Sequence, residues 1–332
     1  MSLKTITVGS GEHAVTIEQT AVLAPMASIA DTSYRRICKE FGASYVVGEL
    51  ASAKGISYGD DNSRVLLKVR EYERPMAVQL FGSEPEFMVK AAQIAMEYHP
   101  EIIDLNMGCP VPKVVANGGG SALMKTPELA YEITKAVVES VPVPVTVKFR
   151  SGWNDDSINA VEFAERMEKA GAAMLTVHGR TRMQMYRPPV NLDIIKAVKQ
   201  AVGIPVIGNG GVDSIDSYLH MMAYTGCDLV MIGQASYGNP WIFRDIRHYL
   251  ETGERLKSPS LDEKLEVLSR HVHWVCEDVG EYAGMKICRR QAAFYLKGLH
   301  GAPAFRKACG ELATLADLDR LIALVKEHNP QA

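Results

Sequence analysis

Eight short apolar runs recur along the chain and constrain its fold more than any other feature. Each is almost continuously hydrophobic, which is typical of a parallel β-strand buried on both faces. Amphipathic, helix-like segments separate them, as in βαβ units, so the pattern predicts an α/β protein with a (β/α)8 TIM barrel; a doubly wound sheet is the alternative. The runs are AVLAPM from Ala21, YVVGEL from Tyr45, PMAVQLFG from Pro75, IIDLNMG from Ile102, PVTVKFR from Pro144, MLTVHGR from Met174, PVIGNGG from Pro205 and LVMIGQA from Leu229.

Both flanks of this pattern have a different character. Two short strand-like segments, TITV and AVTIE, precede it and predict a β-hairpin that covers the bottom of the barrel. After Tyr249 a polar connection leads into purely helical periodicity, which begins with the capping-box pair Ser260 and Glu263 and pauses at Gly280. Further helices are expected at 282–297, 302–309 and 315–328. We therefore predict a barrel domain of residues 1–250 and a small all-helical domain of residues 251–332.

Composition excludes several classes of protein. With 332 residues, 47% of them hydrophobic, and a net charge of -3, the chain is neither disordered nor uniformly basic. No segment approaches the roughly 18 apolar residues of a membrane span, and the start lacks a signal-peptide pattern, so we expect a soluble, cytoplasmic protein. Six cysteines without CxxC pairs favour reduced thiols over disulfides or a metal site.

The charge is distributed unevenly along the chain. From Tyr282 to Gly310 there is no aspartate or glutamate, a bias that suits the binding of a polyanion. The six basic residues of that stretch are Lys286, Arg289, Arg290, Lys297, Arg306 and Lys307.

Polar side chains end five consecutive predicted strands. Because the carboxyl ends of barrel strands form one face, we expect these side chains to meet at one mouth. They are Gln79 on strand three, Asn106 on strand four, Lys148 and Arg150 on strand five, His178 and Arg180 on strand six, and Asn209 on strand seven.

Lys148 points to an anionic cofactor. A lysine buried near a barrel axis needs an anionic partner, and a reduced flavin supplies negative charge that a fixed cation stabilises, while an amide such as Gln79 can bond its pyrimidine edge. The alternative is that Lys148 pairs with a carboxylate of the barrel, either Asp104 or Glu49.

Three further features fit such a site. The glycine-rich turn at 208–211 and Gly233 fall where barrels commonly bind phosphate through loop amides, although such glycines also form ordinary turns. His178 is either a neighbour of the cofactor or a satisfied core histidine. Cys109, in NMGCPVPK, carries a thiol that is mostly protonated at neutral pH, so it is a candidate proton donor; otherwise it is an inert buried cysteine.

Taken together, these residues resemble the tRNA-dihydrouridine synthase family, which comprises FMN-dependent barrels with a helical C-terminal RNA-binding domain. Within that family the chain is most similar to the bacterial B-type branch. The matching stretches lie at about residues 21–245 and are LAPMASIADTSYR, VQLFGSEPE, DLNMGCPVPKVVANGGGSALM, VTVKFRSGW, VHGRTRMQMY, IGNGG and GNPWIF.

The resemblance assigns a role to each candidate residue. It implies that the flavin ring is lined by Pro25, Met26 and Ala27, and its polar edge bound by Gln79 and Lys148. The ribityl and phosphate side would be held by His178, Asn209, Gly210, Gly211, Gly233 and Gln234. The substrate side would comprise Asn106 and the general acid Cys109, with Arg150 and Arg180 contacting uracil or RNA. From the basic stretch of the tail we expect Lys286, Arg289 and Arg290 to contact tRNA phosphates.

Two positions depart from the family's pattern. Gly211 stands where an acidic residue is usual, and Gln234 stands where an arginine is usual. Because an arginine binds phosphate through two donors, we expect weaker retention of FMN but not its loss.

The implied activity is the reduction of a D-loop uridine C5=C6 bond in tRNA. NADPH or NADH would reduce the FMN, hydride would pass to C6, and Cys109 would protonate C5; the enzyme would act as a monomer without a metal. One alternative is a flavin barrel acting on a free small molecule, similar to dihydroorotate dehydrogenase, which the acid-free stretch disfavours. Another is a noncatalytic RNA-binding protein, which the joint presence of Cys109, Lys148 and His178 disfavours.

Overall fold

The computed structural model describes residues 3–330 and confirms the barrel. All eight predicted runs contain a strand of the main sheet, and the second run contains the first of two short strands. The strands are β1 (Thr5–Val8), β2 (Val15–Glu18), β3 (Ala21–Leu23), β4 (Val46–Val47), β5 (Ala51–Ser52), β6 (Met76–Phe81), β7 (Ile102–Met107), β8 (Val145–Arg150), β9 (Met174–His178), β10 (Val206–Asn209) and β11 (Leu229–Ile232).

The main sheet closes on itself. Its parallel strands run in the order β4, β3, β11, β10, β9, β8, β7, β6, and a further pairing of β4 with β6 joins the two ends. This closure rules out the doubly wound alternative. The second barrel strand is interrupted: Val47 pairs with Ala77 and Ala51 with Leu80, so three residues face two and the extra one forms a bulge.

Fourteen α-helices lie within residues 3–330. Those from α1 to α10 follow or surround the barrel strands, and several begin at side-chain caps such as Asp31 and Ser214. The helices are α1 (Thr32–Glu40), α2 (Ala53–Ser57), α3 (Asp61–Arg64), α4 (Pro85–Ala95), α5 (Pro112–Val115), α6 (Pro127–Val138), α7 (Ala160–Lys169), α8 (Leu192–Ala201), α9 (Ile215–Thr225), α10 (Trp241–Thr252), α11 (Leu261–Val279), α12 (Glu281–Tyr295), α13 (Ala302–Glu311) and α14 (Leu315–His328).

The N-terminal hairpin covers the bottom of the barrel, as predicted. β1 and β2 are antiparallel, with Val8 opposite Val15. Their inward side chains share one apolar cluster with residues at the amino-terminal ends of the barrel strands, including Ile102, Met174 and Leu229. The hairpin therefore closes the end opposite the predicted mouth.

The four C-terminal helices form a second core beside the barrel. The predicted capping box is present: the Ser260 amide donates to Glu263, and the Glu263 amide donates to the Ser260 hydroxyl. This core also includes Ile37 and Trp241 from the barrel helices, so barrel and helical region pack against each other. α10 ends at Thr252, two residues beyond the predicted domain boundary, and residues 254–258 of the connection are exposed.

Candidate active site

A cavity of about 600 Å³ opens at the carboxyl ends of the barrel strands. Its size lies within the range of small-molecule and cofactor sites. It is lined by every residue predicted to contact the cofactor, which are Pro25, Met26, Ala27, Gln79, Lys148, His178, Asn209, Gly210, Gly211, Gly233 and Gln234. Four of the predicted substrate residues also line it, namely Asn106, Cys109, Arg150 and Arg180.

A chain of hydrogen bonds fixes the polar groups of two adjacent strands. Gln79 Nε2 donates to Asp104 Oδ2 at 2.7 Å, and Gln79 Oε1 accepts from Asn106 Nδ2 at 2.9 Å. Asn106 Oδ1 in turn accepts from the amides of Gly108 and Cys109, at 3.2 and 2.8 Å. The buried carboxylate therefore sets the orientation of both amides and, through Asn106, the start of the Cys109 loop.

Lys148 is held by an amide instead of a carboxylate. Its Nζ donates to Asn209 Oδ1 at 3.0 Å, and Asn209 Nδ2 donates to the Met231 carbonyl at 2.8 Å. Burial lowers the pKa of Lys148 to about 8, and the nearby charge of Arg150 acts in the same direction. Lys148 thus presents a cation to the cavity at neutral pH, supported by the nearby charge of Asp104 and without an ion pair among residues 3–330.

Neither carboxylate of the alternative interpretation pairs with Lys148. Within residues 3–330 Lys148 forms no ion pair; Asp104 accepts from Gln79 and Thr146, and Glu49 accepts from the Ser28 amide. Burial raises the pKa of Asp104 to about 6, although the hydrogen bonds donated by Gln79 and Thr146 act to lower it. The charge of Lys148 is therefore available to a ligand.

Cys109 lies on the loop after β7 with its sulfur in a partly buried position. Its carbonyl accepts from both the amide and the hydroxyl of Ser121, each at 3.0 Å. Only glycine fits at position 120, because an added Cβ would lie 2.7 Å from the carbonyl oxygen of Cys109. Burial raises the pKa of the Cys109 thiol, although the Val111 amide and Arg150 oppose this shift. The thiol is therefore protonated at neutral pH and able to donate a proton.

Cys109 differs from the other cysteines. All six are free thiols, but Cys109 alone is not fully buried and lines the cavity. The buried five are Cys38, Cys227, Cys276, Cys288 and Cys309. Their burial agrees with the expectation that they fill space in the core.

His178 forms a neutral wall of the cavity. It is buried, and burial lowers the pKa of its ring well below the usual value, with the charges of Lys148 and Arg150 acting in the same direction. Its Nε2 lies 3.3 Å from Arg180 Nη1. A side chain at Gly210 would collide with the ring, since an added Cβ would lie 2.9 Å from His178 Cδ2. The uncharged ring can hydrogen-bond a ligand without adding charge.

The turn after β10 and the loop after β11 offer backbone donors. Gly210 and Gly211 have φ of 114° and 74°, values in the region that favours glycine. In the part of the chain that the structure describes, the amides of Gly210, Gly211 and Gln234 donate no hydrogen bond to a protein acceptor. Around Gly233 an added Cβ would find nothing closer than 3.6 Å. These loops can therefore accommodate an anionic group such as phosphate.

Arg150 and Arg180 are engaged in holding loops. Arg150 donates to the Gly108 carbonyl at 2.8 Å and to the Met185 carbonyl at 2.8 Å, and Arg180 Nε donates to the Arg187 carbonyl at 2.9 Å. Arg150 thus ties the Cys109 loop to the segment after β9. Contacts from either arginine to a substrate remain a prediction.

The three basic residues proposed from the tail do not line the cavity. Lys286 Nζ lies 3.8 Å from the Tyr282 ring centre and is exposed, and Arg290 is exposed as well. Arg289 instead donates to the Leu312 carbonyl at 2.9 Å. Lys286 and Arg290 therefore lie exposed at the surface, where Lys286 Nζ also donates to the Tyr282 hydroxyl at 2.6 Å, and Arg289 holds the chain after α13.

Two aromatic residues at the mouth have no counterpart among the sequence predictions. Tyr186 is half exposed and lies 5.5 Å from the Arg150 guanidinium, and Tyr237 packs on Phe294 of α12. Tyr186 falls inside the stretch VHGRTRMQMY, so its presence in a family motif was a usable signal. No feature of the sequence near Tyr237 indicates that it reaches the cavity.

No group of three or more His, Cys, Asp or Glu within residues 3–330 is placed to hold a metal ion.

Comparison with known proteins decides the family. The dihydrouridine synthase (Dus) family model matches residues 22–329. This chain belongs to the dihydrouridine synthase family. The tRNA-dihydrouridine synthase B of Pasteurella multocida is 40% identical over 314 residues, covering 92% of this chain and 95% of that protein. Its namesake in Pseudomonas aeruginosa is 40% identical over 312 residues, covering 94% of this chain and 93% of that protein.

Solved structures support the fold of this family member. The old yellow enzyme homologue from Zymomonas mobilis superposes with a TM-score of 0.55 and 10% identity, over 79% of this chain and 95% of its own. Histamine dehydrogenase from Rhizobium sp. 4-9 gives a TM-score of 0.58 and 12% identity, over 82% of this chain and 50% of its own. At such low identity these similarities show the barrel fold alone.

Proposed function

We propose that this dihydrouridine synthase reduces the C5=C6 bond of a D-loop uridine in tRNA, using FMN as cofactor and NADPH or NADH as the source of electrons. The observation that carries the proposal is the placement of a protonated thiol, Cys109, and an unpaired cation, Lys148, on one cavity at the mouth of the barrel. The relatives from Pasteurella multocida and Pseudomonas aeruginosa, both named tRNA-dihydrouridine synthase B, support the same substrate.

The residues present fit a flavin mononucleotide. A cationic Lys148 whose one hydrogen bond goes to Asn209 suits the electron-rich polar edge of a flavin, and the Gln79 amide is already oriented beside it. The unengaged amides of Gly210, Gly211 and Gln234 suit the phosphate. Pro25, Met26 and Ala27 supply an apolar wall.

Reduction of the bond requires one hydride and one proton. FMN, when bound, supplies the hydride for C6 of the uracil ring. Cys109 supplies the proton at C5, because burial keeps its thiol protonated and its loop is held by Asn106 and Ser121. The thiolate that remains is stabilised by the Val111 amide and the charge of Arg150, and it regains a proton from water.

The uracil reaches this cavity only when its nucleotide leaves the base stack. Such an extrusion costs a few kcal/mol, which contacts to the RNA backbone must offset. Lys286 and Arg290 lie exposed on α12 and suit phosphate contacts, whereas Arg150 and Arg180 stand beside the cavity for the uracil or its flanking backbone.

We also propose where in the cell the protein acts and in which oligomeric state. We place the protein in the cytoplasm, where tRNA is modified, and propose that it acts as a monomer, since Cys109, Lys148 and the predicted cofactor residues already meet on one cavity of a single chain. No helix in residues 3–330 is long and apolar enough to cross a membrane. A measurement of molecular mass in solution, with and without tRNA, tests the monomeric state.

Mapping of dihydrouridine by mass spectrometry tests the function. tRNA from cells that lack this protein should have an unmodified uridine at one D-loop position, and expression of the wild-type chain should restore dihydrouridine there. The purified protein should also stay yellow after FMN has been added and the free flavin removed by gel filtration. Failure of the wild-type chain to restore any dihydrouridine would contradict the proposed function.

A further inference from the structure

Helix α12 contacts the cavity walls from behind without lining the cavity. Among described residues, those that line it lie between Ala24 and Tyr237, so none belongs to the helical region. Two loops supply much of the lining: the first-strand loop, residues 24–31 after β3, and the last-strand loop, residues 233–239 after β11. Helix α12 contacts both of them.

Gln291 connects α12 to the first-strand loop. Its side chain is 3% exposed, and its Nε2 donates to Asp31 Oδ2 at 2.7 Å and to the Ile29 carbonyl at 3.5 Å. The Ile29 amide donates in turn to the carbonyl of Met26 at 3.0 Å, and Met26 lines the cavity. A side chain of α12 is therefore two hydrogen bonds away from the cavity wall.

Phe294, one turn further along α12, contacts the last-strand loop. Its ring centre lies 4.8 Å from that of Tyr237, which lines the cavity. The backbones also approach closely: Gly238 has a φ of 59°, and an added Cβ would lie 2.4 Å from the carbonyl carbon of Phe294. Any shift of α12 relative to this loop would therefore disturb the packing between them.

The two loops also contact each other. The Cβ position at Gly233 lies 3.6 Å from the Met26 sulfur, and the Ala24 amide donates at 2.9 Å to the carbonyl of Ile232, the last residue of β11. The buried Tyr34, on the helix that follows the first-strand loop, donates its hydroxyl to the Ser236 carbonyl. A displacement of α12 would therefore be transmitted to both loops together.

We infer that α12 positions these two loops for the cofactor, and that Gln291 is a positioning residue for FMN retention although it does not touch the cavity. This inference rests on the proposed function, since it assumes that the cavity holds FMN. Because coupling between two sites is reciprocal, bound FMN must also stabilise α12 against local opening. The helical region then affects the binding of the cofactor as well as the binding of the RNA.

A substitution at Gln291 tests the first half of the inference. Gln291→Met keeps the length of the side chain and removes both donated hydrogen bonds, so we expect the Kd for FMN to rise about tenfold in a fluorescence titration of the apoprotein. The matched control is Phe305→Leu in α13, at a fully buried position of the helical core, which should lower Tm and leave the Kd unchanged. Equal FMN affinity in Gln291→Met and the wild type would overturn the inference.

Hydrogen exchange on the wild-type protein tests the second half and does not depend on a variant that folds. Amides of residues 285–295 should exchange about tenfold more slowly with saturating FMN than without it. FMN binding without any protection of α12 would overturn the inference and leave the proposed function intact. A wild-type protein that binds no FMN would overturn both.

Discussion

The mouth of the barrel and the basic face of α12 were both predicted from runs of polar or charged residues, yet the structure treats them differently. At the mouth, residues from the carboxyl ends of seven strands, β3 and β6 to β11, converge on one cavity. On α12, Lys286 and Arg290 are exposed while Arg289, between them in sequence, is bound to the Leu312 carbonyl. A barrel brings the carboxyl ends of its strands together whatever their sequence, whereas a helix face acquires a role only from what lies opposite it.

This contrast leads to separate expectations for the two regions. Changes at the mouth should affect chemistry or cofactor binding by large factors, because each side chain there is confined and desolvated. Changes on the exposed face of α12 should affect tRNA binding by small, salt-dependent factors, because exposed charges act through a screened field.

The largest effect is expected at Cys109. Cys109→Ala should lower the rate of dihydrouridine formation about 100-fold or more, since a positioned general acid contributes that much, while FMN binding stays unchanged. The measurement is quantitative mass mapping of tRNA after incubation with the purified enzyme and a nicotinamide. Cys309→Ala, which removes a buried thiol in α13, serves as the control. Full activity of Cys109→Ala would remove the proton-donor role and nothing else.

Lys148 should make cofactor binding dependent on pH. Because burial sets the pKa of Lys148 to about 8, the side chain is cationic below that pH and loses its charge above it. The affinity of the apoprotein for anionic FMN should therefore fall about tenfold between pH 7 and pH 9. Fluorescence titrations at each pH measure this fall.

Two variants distinguish the titration of Lys148 from that of other groups that change charge between pH 7 and pH 9. Lys148→Met should bind FMN weakly at both pH values and lose most of the difference between them. Lys135→Met, at a half-exposed position on α6, should keep the wild-type dependence. A pH dependence that survives in Lys148→Met would assign the titration to another group.

On α12 the expected effects are smaller. The double variant Lys286→Ala, Arg290→Ala should raise the Kd for tRNA about fivefold and lower the slope of log Kd against log salt by about 2. Arg289→Ala should instead lower Tm, since it removes the hydrogen bond to the Leu312 carbonyl. Filter binding of tRNA at several salt concentrations, together with thermal melts, measures both. An unchanged salt slope in the double variant would exclude this face from the RNA contact.

The smallest effect is expected at Gln234. It lines the cavity at the position where the sequence resemblance implies an arginine, so Gln234→Arg should lower the Kd for FMN about threefold by adding a charged donor for the phosphate. Titration of both apoproteins with FMN measures this. Identical affinities would show that the backbone amides of the glycine turns suffice.

Much of the fold could be predicted from local patterns. All eight barrel strands, the hairpin and the helix that starts after Ser260 lie where the sequence predicts them, since hydrophobic periodicity and caps act over a few residues. The interruption of the second strand between Val47 and Ala51 was not predicted. A bulge depends on pairing with the neighbouring strand and leaves little trace in its own sequence.

The candidate site could be predicted only as far as its side-chain types. Strand position was enough to assemble Gln79, Asn106, Lys148, His178 and Asn209, because the barrel geometry is general. It did not predict which groups bond one another. The sequence left open whether Asp104 or Glu49 would pair with Lys148, and in the structure its partner is instead the side-chain amide of Asn209, 61 positions away.

The sequence by itself determined the succession of strands and helices, the hairpin, the thiol at Cys109 and the charge of the tail, since each depends on neighbouring residues. Only the tertiary structure decided that Asn209 holds Lys148, that Arg289 is occupied, and that Gln291 bonds Asp31 across 260 positions. Such contacts depend on where the whole backbone places two distant segments, and a buried polar group accepts whichever partner that placement brings within hydrogen-bond distance.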